Sequence, residues 1–240
     1  MSPHVDIYRN GSRLVSATEL QTIIAKPFLD KWRLKLCHCP THINSKKKLK
    51  PREIAVIERL GRGHCGFVYG DGVRDMAGDT GTAVHEIVEA WLKNTETPPV
   101  TDLEAVAWAN KITKVYEQNN VKPYVLQPEE NMIDEQSGLA GSPDLVATWN
   151  GRPEILDTKI KGSLDELTAF QGCAYRYLLR RTKNVDVRYM RPIWCQTETV
   201  GKLVKYDDVY DLEEWMGDWY ALVRIWNRLN PKRNVVIHEC

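Results

Sequence analysis

Two aspartates and a lysine flank a short Asn-Gly sequence and are the residues with the clearest capacity for chemistry. Asn150-Gly151 separates two β-rich runs, and this dipeptide favours a type I′ turn because both central residues need positive φ. The two-residue loop fixes the strand register and places Asp144 directly opposite Asp157. Lys159 lies two residues beyond Asp157 and therefore projects from the same face.

Two carboxylates that face each other in this way need a compensating charge. Opposed residues have Cβ atoms about 5 Å apart, where two bare carboxylates repel by about 3 kcal/mol at an effective dielectric constant near 20. A shared proton, the Lys159 ammonium or a divalent cation would relieve that repulsion. A solvated hairpin end with a salt bridge is the alternative. Apolar residues next to the aspartates favour a core position for the hairpin: Leu145, Val146, Ile155 and Leu156.

Further candidate groups lie on two segments with helical periodicity. His85 lies beside the apolar stripe of the first segment, with Gly81 one turn before it and Glu89 one turn after it. Gly81 leaves space for a ligand or a backbone to approach, although a half-buried histidine paired with a carboxylate is the alternative. Gln171 and Tyr175 are four residues apart on the second segment and share a helix face, which a plain polar surface would also explain.

Two aspartates, an imidazole and a nearby lysine are typical of a site for a hard divalent cation. Oxygen ligands favour Mg²⁺ or Mn²⁺, and an imidazole shifts the preference toward Mn²⁺. Such a cation polarises a phosphodiester and lowers the pKa of an attacking water. The lysine would position or deprotonate that water, or balance developing negative charge. These groups therefore indicate phosphodiester hydrolysis.

The hydrophobic pattern predicts a single α/β domain that positions these groups. The domain is expected to span residues 1–240, with a catalytic core at about 80–206. Helices are predicted over 16–36, 80–93, 101–119, 164–181 and 208–229, and strands over 121–133, 144–149, 154–160, 185–196 and 200–206.

A glycine-rich stretch follows the first helix, which Ser16 or Thr18 is expected to cap. The glycines between positions 61 and 78 predict loops, with a short helix near 52–60 and a hairpin near 66–73. Four tryptophans lie on apolar stripes and are expected in the core: Trp91, Trp215, Trp219 and Trp226.

Four short motifs follow one another along the chain: G-x-x-x-H (Gly81 to His85), G-x-x-D (Gly141 to Asp144), D-x-K (Asp157 to Lys159) and Q-x-x-x-Y (Gln171 to Tyr175). Their order resembles the PD-(D/E)XK nuclease superfamily, in particular the RecB-type branch, which includes phage exonucleases and CRISPR-adaptation nucleases. The N-terminal SATELQTIIAKPFLDKW is also similar to the helical lead-in of phage-encoded members. The resemblance implies an α/β restriction-endonuclease-like core, with a central mixed β-sheet flanked by helices and helical additions at both ends.

The resemblance also implies a division of roles among the motif residues. His85, Asp144 and Asp157 would ligate Mg²⁺ or Mn²⁺, and the carbonyl oxygen of Thr158 would be a further ligand. Lys159 would be the catalytic lysine. The family often has glutamate where this chain has Asp157, whose shorter side chain should still reach a metal.

Other positions receive expected roles from the same resemblance. Gln171 and Tyr175 would contact DNA near the active site. Glu130, in a predicted strand before the hairpin, resembles an acidic position that sometimes lies near the metal. Glu89 and Glu86 would contact the metal ligands without binding the metal, or would have a structural role.

The cysteines do not form a pattern that predicts another cofactor. Some RecB-type nucleases hold an iron–sulfur cluster through one cysteine before the core and three after it, and the six cysteines here depart from that arrangement. A zinc site is the alternative, but its spacing fits no standard template. Its ligands would be Cys37, Cys39, His64 and Cys65.

The composition limits the partners. With 33 Lys+Arg and 32 Asp+Glu the formal net charge is +1, so nucleic-acid binding must come from local patches such as Lys46–Arg52 or Arg180, Arg181 and Lys183. A solvated face is the alternative for both runs. No apolar run approaches the roughly 20 residues of a membrane span, and no secretory signal is visible in the first 20 residues, which lack an apolar run. Six cysteines without a regular framework favour a reducing, cytoplasmic location, and the resemblance implies a bacterial or phage-infected cell.

The leading hypothesis is a metal-dependent DNA exonuclease in phage or bacterial recombination, repair or replication. Its substrate would be single- or double-stranded DNA, and a recombination or single-strand-binding protein is an expected partner. The alternatives are a catalytically inactive nucleic-acid-binding protein on a nuclease fold, and an endonuclease specific for DNA structures. The retention of Asp144, Asp157 and Lys159 together favours catalysis over simple binding.

Overall fold

The computed structural model describes residues 8–9, 12–20, 66–160, 167–198 and 201–238. The chain divides into two compact units. Residues 24–82 and residue 1 belong to the first unit, while residues 2–23 and 83–240 form the second. The candidate residues lie in the second unit, and the single domain predicted from the sequence stays a prediction.

The described residues form four helices: α1 (Gly66–Leu92), α2 (Leu103–Gln118), α3 (Leu167–Lys183) and α4 (Leu212–Leu229). Asp102 caps α2, because its carboxylate accepts hydrogen bonds from the N–H of Glu104 at 2.8 Å and of Ala105 at 3.2 Å. Asp211 caps α4 through the N–H of Glu213 at 3.1 Å. Each cap satisfies N–H groups that have no partner in the helix, and places an acid at the positive end of the helix dipole.

The described strands form one large mixed sheet and two small sheets. The strands are β1 (Tyr8–Arg9), β2 (Ser12–Arg13), β3 (Val15–Ser16), β4 (Lys122–Pro123), β5 (Met132–Asp134), β6 (Leu139–Gly141), β7 (Leu145–Trp149), β8 (Arg152–Ile160), β9 (Tyr189–Glu198), β10 (Gly201–Lys205) and β11 (Tyr210–Asp211). The six-stranded sheet has the order β10-β9-β8-β7-β4, with β11 also on β9. Strands β8 and β9 are parallel, and α3 connects them, as a parallel pair requires. The small sheets are β1-β2 and β3-β6-β5.

The hairpin register predicted from Asn150-Gly151 is confirmed. Strands β7 and β8 are antiparallel, with Trp149 opposite Arg152 at the turn and matching pairs along the strands. Asn150 has φ 49° and Gly151 has φ 88°, the positive values that a type I′ turn needs.

The two faces of the hairpin pack into two apolar clusters. Val146 and Ile155 join the cluster that contains α3 and α4, whereas Leu145 and Leu156 join the cluster that contains α2 and the end of α1. Neighbouring strand residues enter different clusters because successive Cβ atoms alternate between the two faces of a sheet. The hairpin is therefore a core element, as the apolar neighbours of the aspartates predicted.

The predicted hairpin near 66–73 is wrong, because α1 runs from Gly66 to Leu92. Glycine lowers helix propensity by about 1 kcal/mol relative to alanine but does not forbid helical φ and ψ, so a glycine-rich stretch can still continue a helix. The predicted helix over 80–93 is the last part of this longer element.

The predicted strand over 121–133 is wrong as one element. The structure has β4 in the large sheet and β5 in the three-stranded sheet, with a loop between them. Alternating polarity does not reveal that break. Trp91 is 38% exposed, contrary to the core position predicted, whereas Trp219 and Trp226 are buried and Trp215 packs against the core.

Except for the helix over 16–36, of which the structure describes only residues 16–20, the other predicted elements within the described ranges agree within a few residues at their ends. Ser16 does act as a cap, since its hydroxyl oxygen accepts a hydrogen bond from the N–H of Glu19 at 3.0 Å. Three predictions lie outside the described residues: the helix near 52–60, the basic run Lys46–Arg52 and the zinc alternative at positions 37–65. Over the described ranges, none of the helices combines the length and apolar character that crossing a bilayer requires.

A buried arginine ties α3 to its surroundings. Arg176 is 2% exposed, and its guanidinium donates to Asp186 Oδ1 at 2.6 Å and to Oδ2 at 3.0 Å. It also lies 2.7 Å from Glu213 Oε2 at the start of α4. Hydrogen bonds from Arg176, assisted by Arg180, hold the pKa of Asp186 well below its ordinary value, against the opposing effect of burial.

Replacing Gly151 with alanine tests the turn. A Cβ at Gly151 meets nothing within 4 Å, so the cost comes from the positive φ alone, and we expect Gly151→Ala to lower the free energy of unfolding by about 1–2 kcal/mol. Gly217→Ala in α4 is the matched control, because its Cβ also enters open space but its backbone is helical. That control should stabilise the fold by about 0.5–1 kcal/mol. Equal effects in urea unfolding would contradict the assigned turn.

Acid titration of stability tests the Arg176–Asp186 pair. Because the pKa of Asp186 is lower in the folded state than in the unfolded state, the pair stabilises the fold above about pH 4 and loses that contribution as the pH falls. Asp186→Asn should cost about 1–2 kcal/mol at pH 7, a value reduced by partial exposure of the acid. The variant should also lose less stability than wild type between about pH 4 and 2. Asp208→Asn, at an exposed position, should leave both measurements unchanged.

Candidate metal centre

The open end of the β7–β8 hairpin brings the first candidate aspartate to the middle of the sheet. Asp144 directly precedes β7, and its Oδ2 accepts a hydrogen bond from the backbone N–H of Thr158 at 2.6 Å. This bond crosses from one strand to the other and fixes the carboxylate beside the Asp157-Thr158-Lys159 segment. The register predicted from the turn therefore places Asp144 next to the D-x-K motif.

Two further side chains from other parts of the chain, those of His85 and Glu129, lie close to this carboxylate. His85 Nδ1 on α1 lies 2.9 Å from Glu129 Oε1 and 3.6 Å from Asp144 Oδ1. One ligand atom from each of the three lies within 4.8 Å of the other two. The side chains are 25%, 30% and 21% exposed, in that order, so an ion from solvent can reach them.

Backbone contacts hold Glu129 in place. Its N–H donates to the carbonyl oxygen of Asp144 at 3.2 Å, and its own carbonyl oxygen accepts from Ser142 Oγ at 2.8 Å. Glu129 has φ 58°, a conformation that is uncommon for residues other than glycine. This bend directs its carboxylate toward His85.

The charges of the three side chains are strongly coupled. Burial lowers the pKa of His85, but the nearby Asp144 and Glu129 raise it more, to about 9. Burial and, to a smaller extent, the carboxylates of Asp157 and Glu129 raise the pKa of Asp144 to about 7 against the opposing charge of His85. The group therefore favours a bound positive charge, which a proton supplies in the metal-free chain.

The donor set fits Mg²⁺ or Mn²⁺. Octahedral coordination with bonds near 2.1 Å places neighbouring ligand atoms about 3 Å apart, which agrees with the 2.9 Å and 3.6 Å separations from His85 Nδ1. Two carboxylate oxygens and one imidazole nitrogen suit a hard or borderline divalent ion. An open pocket of about 300 Å³ adjoins the group, with apolar walls from Val84, Val88 and Leu92.

A second network surrounds the other candidate aspartate. Asp157 is 1% exposed, and the ammonium of Lys159 lies 2.9 Å from its Oδ2 and 3.1 Å from its Oδ1. Lys159 also donates to Gln171 Oε1 at 3.4 Å, and Gln171 Nε2 donates to the Tyr175 hydroxyl at 2.8 Å. These side chains therefore form a line of polar contacts from α3 to Asp157 on β8.

The structure brings the predicted site residues together, with differences in detail. Among the described residues, the 4.8 Å group comprises His85, Glu129 and Asp144, and Asp157 lies outside it. Gln171 and Tyr175 are buried, where Tyr175 holds Gln171 and Gln171 accepts a hydrogen bond from Lys159. Their predicted contact with DNA, and the predicted metal ligation by Asp157 and the Thr158 carbonyl, stay predictions.

The acid near the centre is Glu129 and not Glu130. Glu130 accepts from Lys183 at 2.7 Å and from the N–H of Gln127 at 2.9 Å, so its carboxylate is held away from His85. The adjacent pair of acids in the sequence indicates that one could contribute. The backbone bend at Glu129, its bond to Asp144 and the contacts that hold Glu130 decide which one does.

The remaining acids and bases have mainly structural contacts. Glu89 forms an ion pair with Lys93 one turn later and lines the pocket, while Glu86 is exposed. The basic residues at the end of α3 pair with acids: Arg180 with Asp186, Arg181 with Asp134 and Lys183 with Glu130. Because these basic side chains already pair with acids, they favour the alternative of a solvated face over a phosphate-binding patch.

No described backbone or side chain approaches Gly81 closely, and the predicted approach of a ligand there stays a prediction. A Cβ added there would meet no described atom within 4 Å. An alanine would therefore fit sterically at this position, and packing within the described ranges does not require a glycine.

Comparison with known proteins gives little further information. The sequence matches no protein-family profile and no curated protein. Among solved structures, the chain is similar to the crystal structure of LHK-Exo in complex with dAMP, with a TM-score of 0.29 and 9% sequence identity. The alignment covers 85% of this chain and 97% of that chain. A TM-score of this size does not establish a shared fold, so the function proposed below rests on the side chains described above.

Calorimetry with Mn²⁺ and paired variants tests the centre. Glu129→Gln should weaken Mn²⁺ binding by about tenfold to a hundredfold, because a ligand or a partner of a ligand is lost. Glu130→Gln is the matched control, since its carboxylate pairs with Lys183, and should leave the affinity unchanged. Equal affinities for both variants would remove Glu129 from the site.

Proposed function

We propose that this chain is a metal-dependent nuclease that hydrolyses phosphodiester bonds in DNA, and that it acts as an exonuclease. The observation that carries the proposal is the convergence of His85, Glu129 and Asp144 beside Lys159. A cation-binding group and an ammonium at one solvent-accessible place are the components that phosphodiester hydrolysis needs. A cluster of polar side chains with a purely structural role would not require both a cation-binding group and an ammonium.

The three converging side chains would hold Mg²⁺ or Mn²⁺, and Asp157 with the carbonyl oxygen of Thr158 remains the proposed extension of that ligand set. When bound, the ion would polarise the scissile phosphate and lower the pKa of the attacking water. The bond from the Thr158 N–H to Asp144 Oδ2 leaves Oδ1 facing His85. The protein thus orients the carboxylate before an ion arrives.

Lys159 is the proposed catalytic lysine. Its side chain is 40% exposed, while its partner Asp157 is 1% exposed, so the ammonium lies at the boundary between the core and the solvent. Asp157 and Gln171 hold the ammonium on the protein side. In the proposed reaction the ammonium contacts a phosphate oxygen, where it would balance the negative charge that develops during hydrolysis.

The family proposal rests on the order of elements around these residues. We assign the chain to the PD-(D/E)XK superfamily as a single nuclease domain, with a restriction-endonuclease-like core at about 80–206 and a RecB-type motif set. Support comes from the four ordered motifs, from the antiparallel β7–β8 hairpin and from the parallel β8–β9 pair joined by α3. A role in phage or bacterial DNA recombination, repair or replication, together with a single-strand-binding or recombination partner, belongs to the same proposal.

Incubation of the purified chain with linear DNA and Mg²⁺ or Mn²⁺ tests the activity. Lys159→Met should reduce hydrolysis by about a hundredfold or more while Mn²⁺ binding by calorimetry persists. Lys232→Met, which changes charge equally at an exposed position, should retain wild-type activity. Full activity in Lys159→Met or in Asp144→Asn would refute the residue assignment.

End-labelled linear DNA and closed circular DNA separate the proposed exonuclease from an endonuclease. An exonuclease releases nucleotides from the linear substrate and leaves the circle intact. Cleavage of the circle would replace the exonuclease with an endonuclease. DNA binding without cleavage under either metal would replace it with a catalytically inactive binding protein.

A further inference from the structure

A strained, exposed turn begins the segment that carries Glu129 into the metal centre. The N–H of Leu126 donates to the carbonyl oxygen of Tyr124 at 2.8 Å, and Val125 between them has φ 69°. This combination defines a γ-turn of the rare, strained kind. A β-branched residue with positive φ is an outlier, because its Cβ crowds the backbone. Such strain persists only where surrounding contacts enforce it, and it is concentrated at functional sites.

Both ends of this turn are anchored. The N–H of Tyr124 donates to the carbonyl oxygen of Val146 on β7 at 2.8 Å. Leu126 is 2% exposed and belongs to the apolar cluster with α3 and α4. Because the turn is fixed on both sides, its apex projects outward: Tyr124 is 36% exposed and Val125 is 42% exposed.

The turn lies next to the metal-binding group. The backbone N–H of Tyr124 bonds to Val146 on β7, and the backbone N–H of Glu129 bonds to Asp144, which lies two residues before Val146. At about 3.3 Å per residue in a strand, the two contacts are about 7 Å apart. This separation corresponds to about two base steps of 3.4 Å in a stacked strand. The backbone of Tyr124 is therefore about two nucleotide steps from the backbone of Glu129, and a strand bound at the metal centre would pass this exposed turn.

The exposed strip Lys122–Val125 has the chemistry of a single-strand contact. It presents a lysine, a proline, a tyrosine and a valine, all exposed, in consecutive positions along β4 and the turn. An aromatic ring stacks on any base whose face is free, and a nearby ammonium contacts the phosphate. Bases in a duplex already stack on each other, so this arrangement selects an unpaired segment.

We infer that the Lys122–Val125 strip holds a single-stranded nucleic-acid segment beside the metal centre, with Tyr124 stacked on a base and Lys122 on a phosphate. The choice of ligand rests on the proposed function. The strip would select a frayed or single-stranded end without reading its sequence, because every base offers a face for stacking. It would hold the strand one or two nucleotides from the bond that is cut.

Fluorescence anisotropy with a labelled oligothymidylate of about 20 nucleotides, in EDTA so that no cleavage occurs, tests this contact. Tyr124→Ala should weaken binding by about fivefold to a hundredfold, and Tyr124→Phe should stay within about twofold of wild type, because the ring is retained. Lys122→Ala should reduce the slope of log affinity against log salt by about one. Leu229→Ala, at an exposed position in α4, is the control and should bind like wild type.

Two further measurements make the result independent of folding and of catalysis. Mn²⁺ affinity should be the same in Tyr124→Ala and in wild type, which shows that the metal centre is intact. Wild-type affinity for the oligothymidylate in Tyr124→Ala overturns the inference. Equal loss of affinity for blunt duplex DNA overturns the preference for a single strand.

The inference and the proposed function fail in different ways. Tyr124-dependent binding by a wild-type chain that cuts no DNA with Mg²⁺ or Mn²⁺ supports the binding strip and rejects the nuclease. Cleavage by wild type together with unchanged binding by Tyr124→Ala supports the nuclease and rejects the strip.

Discussion

The pairing of β7 with β8 through the Asn150-Gly151 turn controls the geometry of the candidate site. A slip of one residue in this register would send every side chain of a strand to the opposite face. The apolar residues on both faces of the hairpin are buried in two separate clusters, so such a slip would exchange the side chains that fill each cluster and disrupt the packing of both. The core therefore fixes the register, and the register brings Asp144 to the Thr158 N–H.

The two carboxylates at the hairpin end belong to different networks. Asp144 turns toward His85 and Glu129, whereas Asp157 turns toward Lys159. This division resolves the repulsion between the acids in two ways, through an ammonium on one side and through a cationic imidazole or a metal on the other. The coupled rise in the pKa of His85 and of Asp144 reflects the same electrostatic constraint.

The contrast between Glu129 and Glu130 shows where reasoning from sequence ends. Both acids lie in one short segment, and the side-chain chemistry of the two is identical. The backbone bend at Glu129 and its bond to Asp144 depend on contacts with a strand that lies further along the chain. The helix over Gly66–Leu92 gives the same lesson, because glycine content measures a local preference that tertiary contacts can override.

The sequence alone determined the turn, the strand register, the position of Asp144 beside the Asp157–Lys159 segment and the shared helix face of Gln171 and Tyr175, because these follow from local dihedral preferences and from fixed helix and strand periods. Tertiary structure alone decided that Glu129 joins His85, that Lys159 bonds to Gln171, and that Tyr124 lies exposed near the centre. Those contacts join elements distant in sequence, and neither periodicity nor residue type encodes the path of the loops between them.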